Sequence, residues 1–205
     1  MSILSPYGAL SLFAVYLVVG FGIRTWLQVR RTGDSGFRGL SGRTGSAEWW
    51  AGILFGAALL LGALGPVAGI LGLADLAALD HDFLAAGGMA LALLAIGGTL
   101  LTQMAMGDSW RVGVDEGERT ELVMSGPFRV VRNPIFTAMV ATGAGLVLVV
   151  PNIVAVVGWL LLVFAIELQV RVVEEPYLRR QHDENYPAYC ARVGRFVPGL
   201  GLVER

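Results

Sequence analysis

The chain has no lysine, so all 15 of its basic residues are arginines. It has a single cysteine, Cys190, which excludes an internal disulfide. It has no charge at all in four long stretches, residues 1–23, 49–74, 83–107 and 133–166. With 55% hydrophobic residues and a mean hydropathy of +0.66, these gaps leave no room for a separate soluble domain. The pattern that remains is apolar segments divided by arginine-bearing ones, which is the pattern of a membrane bundle.

A helix needs about 20 apolar residues to cross roughly 30 Å of hydrocarbon. The first three stretches suffice for one crossing each. The fourth has 34 residues split by Pro151-Asn152, a turn pair, and reads as a tight hairpin of two short helices. The expected fold is therefore all-α: an integral membrane bundle of five transmembrane helices, with a cytoplasmic loop and a C-terminal helical tail. Residues 1–205 read as one membrane domain, with three N-terminal helices in 1–106 and the loop, hairpin and tail in 107–205.

The arginines fall in three blocks, 24–43, 111–132 and 171–205, and none lies in 75–82 or at the Pro151 turn. Basic loops stay cytoplasmic, which puts the N-terminus outside and the C-terminus inside. The first stretch lacks a basic leader and a cleavage site, and is expected to be a helix rather than a signal peptide. Abundant Ala and Gly without lysine point to a bacterial inner membrane. Trp26, Trp49, Trp50 and Trp110 fall where interfacial belt residues belong.

Local signals place the elements. Ser5-Pro6 is an N-cap followed by a first-turn Pro. Residues 30–47 read as a flexible loop. Gly62, Gly65-Pro66 and Gly69 are expected to kink the second helix or end it early. Gly87-Gly88 and Gly97-Gly98 suit close helix packing, and Gly97-Gly98 also suits a ligand lying against the helix. Nine of the 25 residues in 108–132 are charged, and loops that long are often functional. Asn133-Pro134 then reads as a cap and a first helical Pro.

The last helix runs out of the bilayer with Glu167, Arg171, Glu174 and Glu175 along one stripe. Glu167 lies near the membrane boundary, where a carboxylate is a functional candidate. It is also an i,i+4 partner for Arg171, which is the structural alternative. Tyr186, Tyr189, Arg195 and Phe196 form a tail suited to docking on the arginine loop. Arg129 and Arg132 beside a helix N-terminus can grip an anion, and Glu174 and Glu175 can accept from hydroxyl or ammonium groups. A ligand with carboxylate, ammonium, ribose and base matches that set. S-adenosylmethionine is one such ligand, and a nicotinamide dinucleotide is another.

The run Leu122-Val123-Met124-Ser125-Gly126-Pro127-Phe128, continuing to Arg132-Asn133-Pro134-Ile135-Phe136, resembles isoprenylcysteine carboxyl methyltransferases and related phospholipid N-methyltransferases. Their pattern is L-V-x-x-G-x-Y-x-x-x-R-H-P-x-Y. Glu174-Glu175-x-x-Leu178, then Tyr186, Tyr189, Val193, Arg195-Phe196 and Pro198, resembles their C-terminal motif. The resemblance covers roughly Gly97 to Pro198, about half the chain. Asn133 stands where the family has His, and Phe128 and Phe136 stand where it has Tyr.

The resemblance implies methyl transfer from S-adenosylmethionine to a lipid-like acceptor, a carboxylate or an amine, at the cytoplasmic face. It places cofactor contacts at Thr120, Glu121, Leu122, Val123, Gly126, Phe128, Arg132, Asn133, Pro134, Ile135, Phe136 and Glu174. Arg171 is the nearest match to the family's substrate-facing arginine and would place a carboxylate; Glu167 or Glu175 would take a proton from an amine. Membrane lipids are the expected surroundings, no nucleic-acid partner or metal is expected, and oligomeric state stays open. An NAD(P)H-dependent reductase of sterol-reductase type and a non-enzymatic membrane scaffold are the alternatives.

Overall fold

The computed structural model describes residues 5–37, 39–40, 42–110 and 121–203. Six helices account for most of them: α1 (Pro6–Thr32), α2 (Ala47–Ile70), α3 (Asp82–Met106), α4 (Pro134–Val149), α5 (Ile153–His182) and α6 (Asn185–Cys190). No strand forms among the described residues; Val131 and Gly194 make an isolated bridge. The chain is an all-α integral membrane protein. Leu60, Leu94, Leu101 and Phe164 are each more than half exposed, so apolar side chains cover the outside as well as the core. A helix apolar all round is a membrane span.

Helix ends follow local chemistry. Ser5, Ser46 and Asn152 side chains accept from Gly8, Trp49 and Ala155 N–H groups and cap α1, α2 and α5. Gly33, at φ +76°, closes α1 in the left-handed conformation. α2 is neither ended early by its glycines nor by Pro66; it runs on to Ile70. Asn152 bridges to it, its Nδ2 donating to the Gly65 carbonyl at 2.8 Å.

Among the described residues four helices are long enough to cross a membrane, and α4, at 16 residues, is shorter. The expected hairpin of two short helices is therefore lopsided: a short α4 and a 30-residue α5. The turn between them is buried at Val150 and Asn152, and the Leu76 N–H donates to the Pro151 carbonyl. The loop after α2 thus roofs the turn, which spares its backbone an unsatisfied position in lipid.

α3 packs along α4, and α2 along α5. Glycine permits both approaches. A Cβ on Gly88 would lie 2.6 Å from the Gly145 carbonyl oxygen, and one on Gly158 would lie 2.8 Å from Leu61. Gly87 and Gly97 face open space, and Gly98 faces Ala138. Neither Gly97 nor Gly98 takes the ligand-contact role raised for them, because neither lines the cavity described below.

α1 and α5 each contain a π-helical turn, at Val18–Ile23 and Gln169–Glu174. Such turns release a carbonyl and re-aim side chains, and they recur at functional sites. The Gly20 carbonyl in the first of them accepts from Gln103 Nε2 at 2.8 Å.

Candidate functional site

The turn before α4 is built by Gly126, whose φ of +56° only glycine adopts without strain, followed by Gly126–Arg129 in a tight helical turn. The chain then passes Val131 and Arg132 into α4. The tail after α6 returns alongside it. Arg132 N–H donates to the Gly194 carbonyl at 2.8 Å, and Asn133 N–H and Nδ2 both donate to the Arg195 carbonyl, at 3.1 and 3.2 Å. Thr137 Oγ1 donates to the Phe196 carbonyl at 2.9 Å, and the Tyr189 hydroxyl donates to the Phe128 carbonyl at 2.5 Å. Asn133 occupies the N-cap position of α4 but does not cap it with its side chain. Its amide fastens the tail instead.

Arg132 is buried, and both of its Nη atoms are engaged within the protein. Its Nη1 donates to the carbonyls of Val193 at 2.7 Å and Cys190 at 3.1 Å; its Nη2 donates to Glu175 Oε1 at 3.0 Å and to the Gly201 carbonyl at 3.1 Å. Arg195 clasps the same carboxylate, Nε to Oε1 at 2.7 Å and Nη2 to Oε2 at 3.0 Å. The Arg195 guanidinium is held above its ordinary pKa, first by this hydrogen bond to Glu175. Glu175 is thus the hub of a buried network that fixes the tail to the turn, with Arg132 and Arg195 as its spokes.

Glu174, the adjacent residue, has a different environment. Successive helical residues point about 100° apart, so one of the two carboxylates enters the network and the other does not. Glu174 lines a cavity of about 240 Å³. Glu121, Leu122, Val123, Phe128, Arg132, Asn133, Pro134, Ile135 and Phe136 line it too. Of the expected cofactor contacts, Gly126 shapes the turn without lining the cavity, and Thr120 lies outside the described residues.

The three residues expected to be catalytic stand elsewhere. Glu175 is locked in the network. Glu167 and Arg171 pair with each other on an exposed face of α5, and neither lines the cavity. The i,i+4 geometry that marked them in the sequence is satisfied within their own helix.

The cavity has walls that the sequence did not mark. Trp110 is buried under the Arg24 guanidinium, 4.7 Å from its ring centre, with Arg24 Nη2 on the Gly107 carbonyl at 2.5 Å. It is therefore a cavity wall rather than a belt residue, whereas Trp26 and Trp50 are about half exposed. The expected flexible loop at 30–47 begins as the end of α1, and its Gly36 backbone lies against the Trp110 ring. Glu48, Gln103 and Gln169 add polar lining. Gln103 carries a signal in hindsight: it is the only side-chain amide in the 83–107 stretch. Phe21, Phe55, Met139 and Ile166 belong both to the lining and to the membrane core, so an apolar arm of the cavity runs between the helices. Among the described residues, no His, Cys, Asp or Glu cluster could hold a metal ion.

The cavity joins a carboxylate, a helix start and aromatic faces to an apolar arm. The family model for phospholipid methyltransferases matches residues 83–185, half of the chain, which includes α3, the turn, the hairpin and the start of α6. No curated protein and no solved structure matches the chain.

Proposed function

The chain belongs to the phospholipid methyltransferase family, and from that premise we propose that it transfers a methyl group from S-adenosylmethionine to a membrane-embedded lipid-like amine at the cytoplasmic face. The observation that carries the reading is that Glu174 and the start of α4 share one cavity with an apolar arm. Family membership favours methyl transfer over the reductase and scaffold readings. Arginine distribution favours a bacterial inner-membrane orientation with the N-terminus outside, and we read the whole chain as one membrane domain.

The lining residues fit the cofactor's groups. Glu174 would hold its ammonium, the N-terminal turn of α4 at Ile135 and Phe136 its carboxylate, Glu121 its ribose hydroxyls, and the faces of Phe136 or Trp110 its base. When bound, S-adenosylmethionine supplies an electrophilic methyl group on a sulfonium. The chain's own part is to orient and to exclude water. The docked tail holds the turn in place over the cavity, and alignment of the reactants can contribute much of the rate. Asn133 does not titrate and its amide is committed to Arg195, so no proton carrier stands at that position.

Of the two acceptor classes, the lining favours an amine. Its described acidic residues are Glu48, Glu121 and Glu174, while its described cation, Arg132, is held by Glu175. An amine must lose a proton to react, and Glu48 on α2 is the lining carboxylate not assigned to the cofactor. The acceptor's chain would occupy the apolar arm. The test is calorimetric binding of S-adenosylmethionine to protein in nanodiscs. Glu174→Ala combined with Phe136→Ala is expected to weaken binding at least tenfold; undiminished binding would overturn the site.

A further inference from the structure

Gln103 is 4% exposed, and its two amide atoms have different fates. Nε2 donates to the Gly20 carbonyl, which lies in the π-helical turn of α1. That bond fixes the amide's orientation, because the reverse placement would set two carbonyl oxygens against each other. Oε1 is then buried without a hydrogen-bond partner. Gln103 also lines the cavity. An acceptor oxygen that is buried, oriented by its own amide nitrogen and set in a cavity wall is a recognition element for a donor.

Its position selects which donor. Gln103 lies three residues before the end of α3, and its amide bonds Gly20, the neighbour of Phe21, which with Phe55 and Met139 is part of the apolar lining. A lipid whose chain fills the apolar arm would present its headgroup here. We propose that Gln103 Oε1 accepts a hydrogen bond from an N–H of the acceptor lipid's headgroup and so positions the nitrogen that is methylated. This rests on the methyl-transfer reading and names a residue for its substrate selectivity. Oε1 would favour primary and secondary amines, whose neutral, nucleophilic forms still carry N–H, over tertiary amines, whose neutral form carries none.

The experiment uses two fluorescent lipids with identical chains, one headed by a primary amine and one by a trimethylammonium group. Both carry one positive charge, and only the first has N–H. Binding is measured in nanodiscs without cofactor. Wild type is expected to prefer the primary amine about tenfold, as a hydrogen bond with a charged donor confers. Gln103→Met should abolish the preference by weakening the amine alone. Gln103→Glu loses the bond to Gly20 but keeps an acceptor oxygen, and should retain the preference.

Absence of a preference in wild type, or its persistence in Gln103→Met, overturns the proposal. So does its loss in Gln103→Glu, which would make the residue a clamp between α1 and α3. S-adenosylmethionine affinity is measured in parallel. A fall confined to the cofactor in Gln103→Met would assign Oε1 to the adenine amino group and also overturn the proposal. A wild type that prefers the amine lipid yet binds no S-adenosylmethionine would defeat the methyl-transfer reading and leave the headgroup contact standing.

Discussion

Arg132 and Glu175 meet at 3.0 Å inside the protein, with side chains 1% and 7% exposed, although they are separated by the whole hairpin of α4 and α5. Arg195 closes on the same carboxylate from the tail. Removing one partner of a buried pair leaves an uncompensated charge and costs about 3–5 kcal/mol. Glu175→Ala is therefore expected to lower the thermal unfolding temperature in nanodiscs and to open residues 183–203 to protease. An unchanged unfolding temperature would show that the network does not hold the tail. Glu175→Gln keeps hydrogen bonds and should fall between the two.

That network also marks the limit of what the sequence discloses. Glu174-Glu175 reads as a pair, and Arg129 and Arg132 read as flanks of one turn. The fold separates each pair. Glu175 and Arg132 are buried together, Glu174 faces the cavity, and Arg129 is exposed. Charge identity and spacing marked these residues but could not assign each charge to its partner, because the Arg132 partners include a tail about 60 residues further on. The crossings were legible, since an apolar run longer than a bilayer is a local property. The buried Trp110 was not: its burial depends on Arg24, which lies on α1.

Tail docking should weaken at alkaline pH. Burial pushes the Tyr189 hydroxyl from 10.0 up to about 12, and it pushes the Cys190 thiol up from 9.0. A group whose folded pKa is raised contributes stability below its unfolded pKa and loses it as pH rises towards the folded value. Stability is thus expected to fall progressively above pH 9, and from pH 10 to 12 for the tyrosine. Tyr189→Phe should flatten the upper part of that slope and cost about 1 kcal/mol at neutral pH by losing the bond to the Phe128 carbonyl. Unfolding temperature against pH for both proteins gives the comparison; parallel slopes would remove Tyr189 from the account.

Cys190 offers a direct report on the same docking. It is fully buried, and burial disfavours the thiolate that alkylating reagents require. Folded protein should resist maleimide at pH 7.5, and Glu175→Ala should become reactive without global unfolding. Rapid labelling of wild type would contradict the packing of α6 against the tail.

The glycine pair on α3 divides sharply. A Cβ on Gly88 would lie 2.5 Å from Leu148 Cβ and 2.6 Å from the Gly145 carbonyl, whereas one on Gly87 would meet nothing within 4 Å. Overpacking a helix contact costs about 1–3 kcal/mol, and replacing an open helical glycine with alanine gains up to about 1 kcal/mol. Gly88→Ala is expected to destabilise and Gly87→Ala to be neutral or stabilising, read by unfolding in a denaturing detergent titration. Equal effects would mean that α3 and α4 do not approach at Gly88.

The pair Glu167 and Arg171 tests whether position along the stripe or contact with the cavity decides function. Their side chains are 37% and 55% exposed, and each is the other's partner on α5. Exposed pairs of this kind contribute less than about 1 kcal/mol. Arg171→Ala is expected to leave both the unfolding temperature and the S-adenosylmethionine dissociation constant near wild type. Glu174→Ala, three residues on and in the cavity wall, should weaken the same constant about tenfold. Arg171→Ala removes a positive charge and Glu174→Ala a negative one, so a shared field would move the constant in opposite directions; a matching loss in Arg171→Ala would mean that the ion-paired face of α5 supports binding, and not the cavity wall of Glu174 alone.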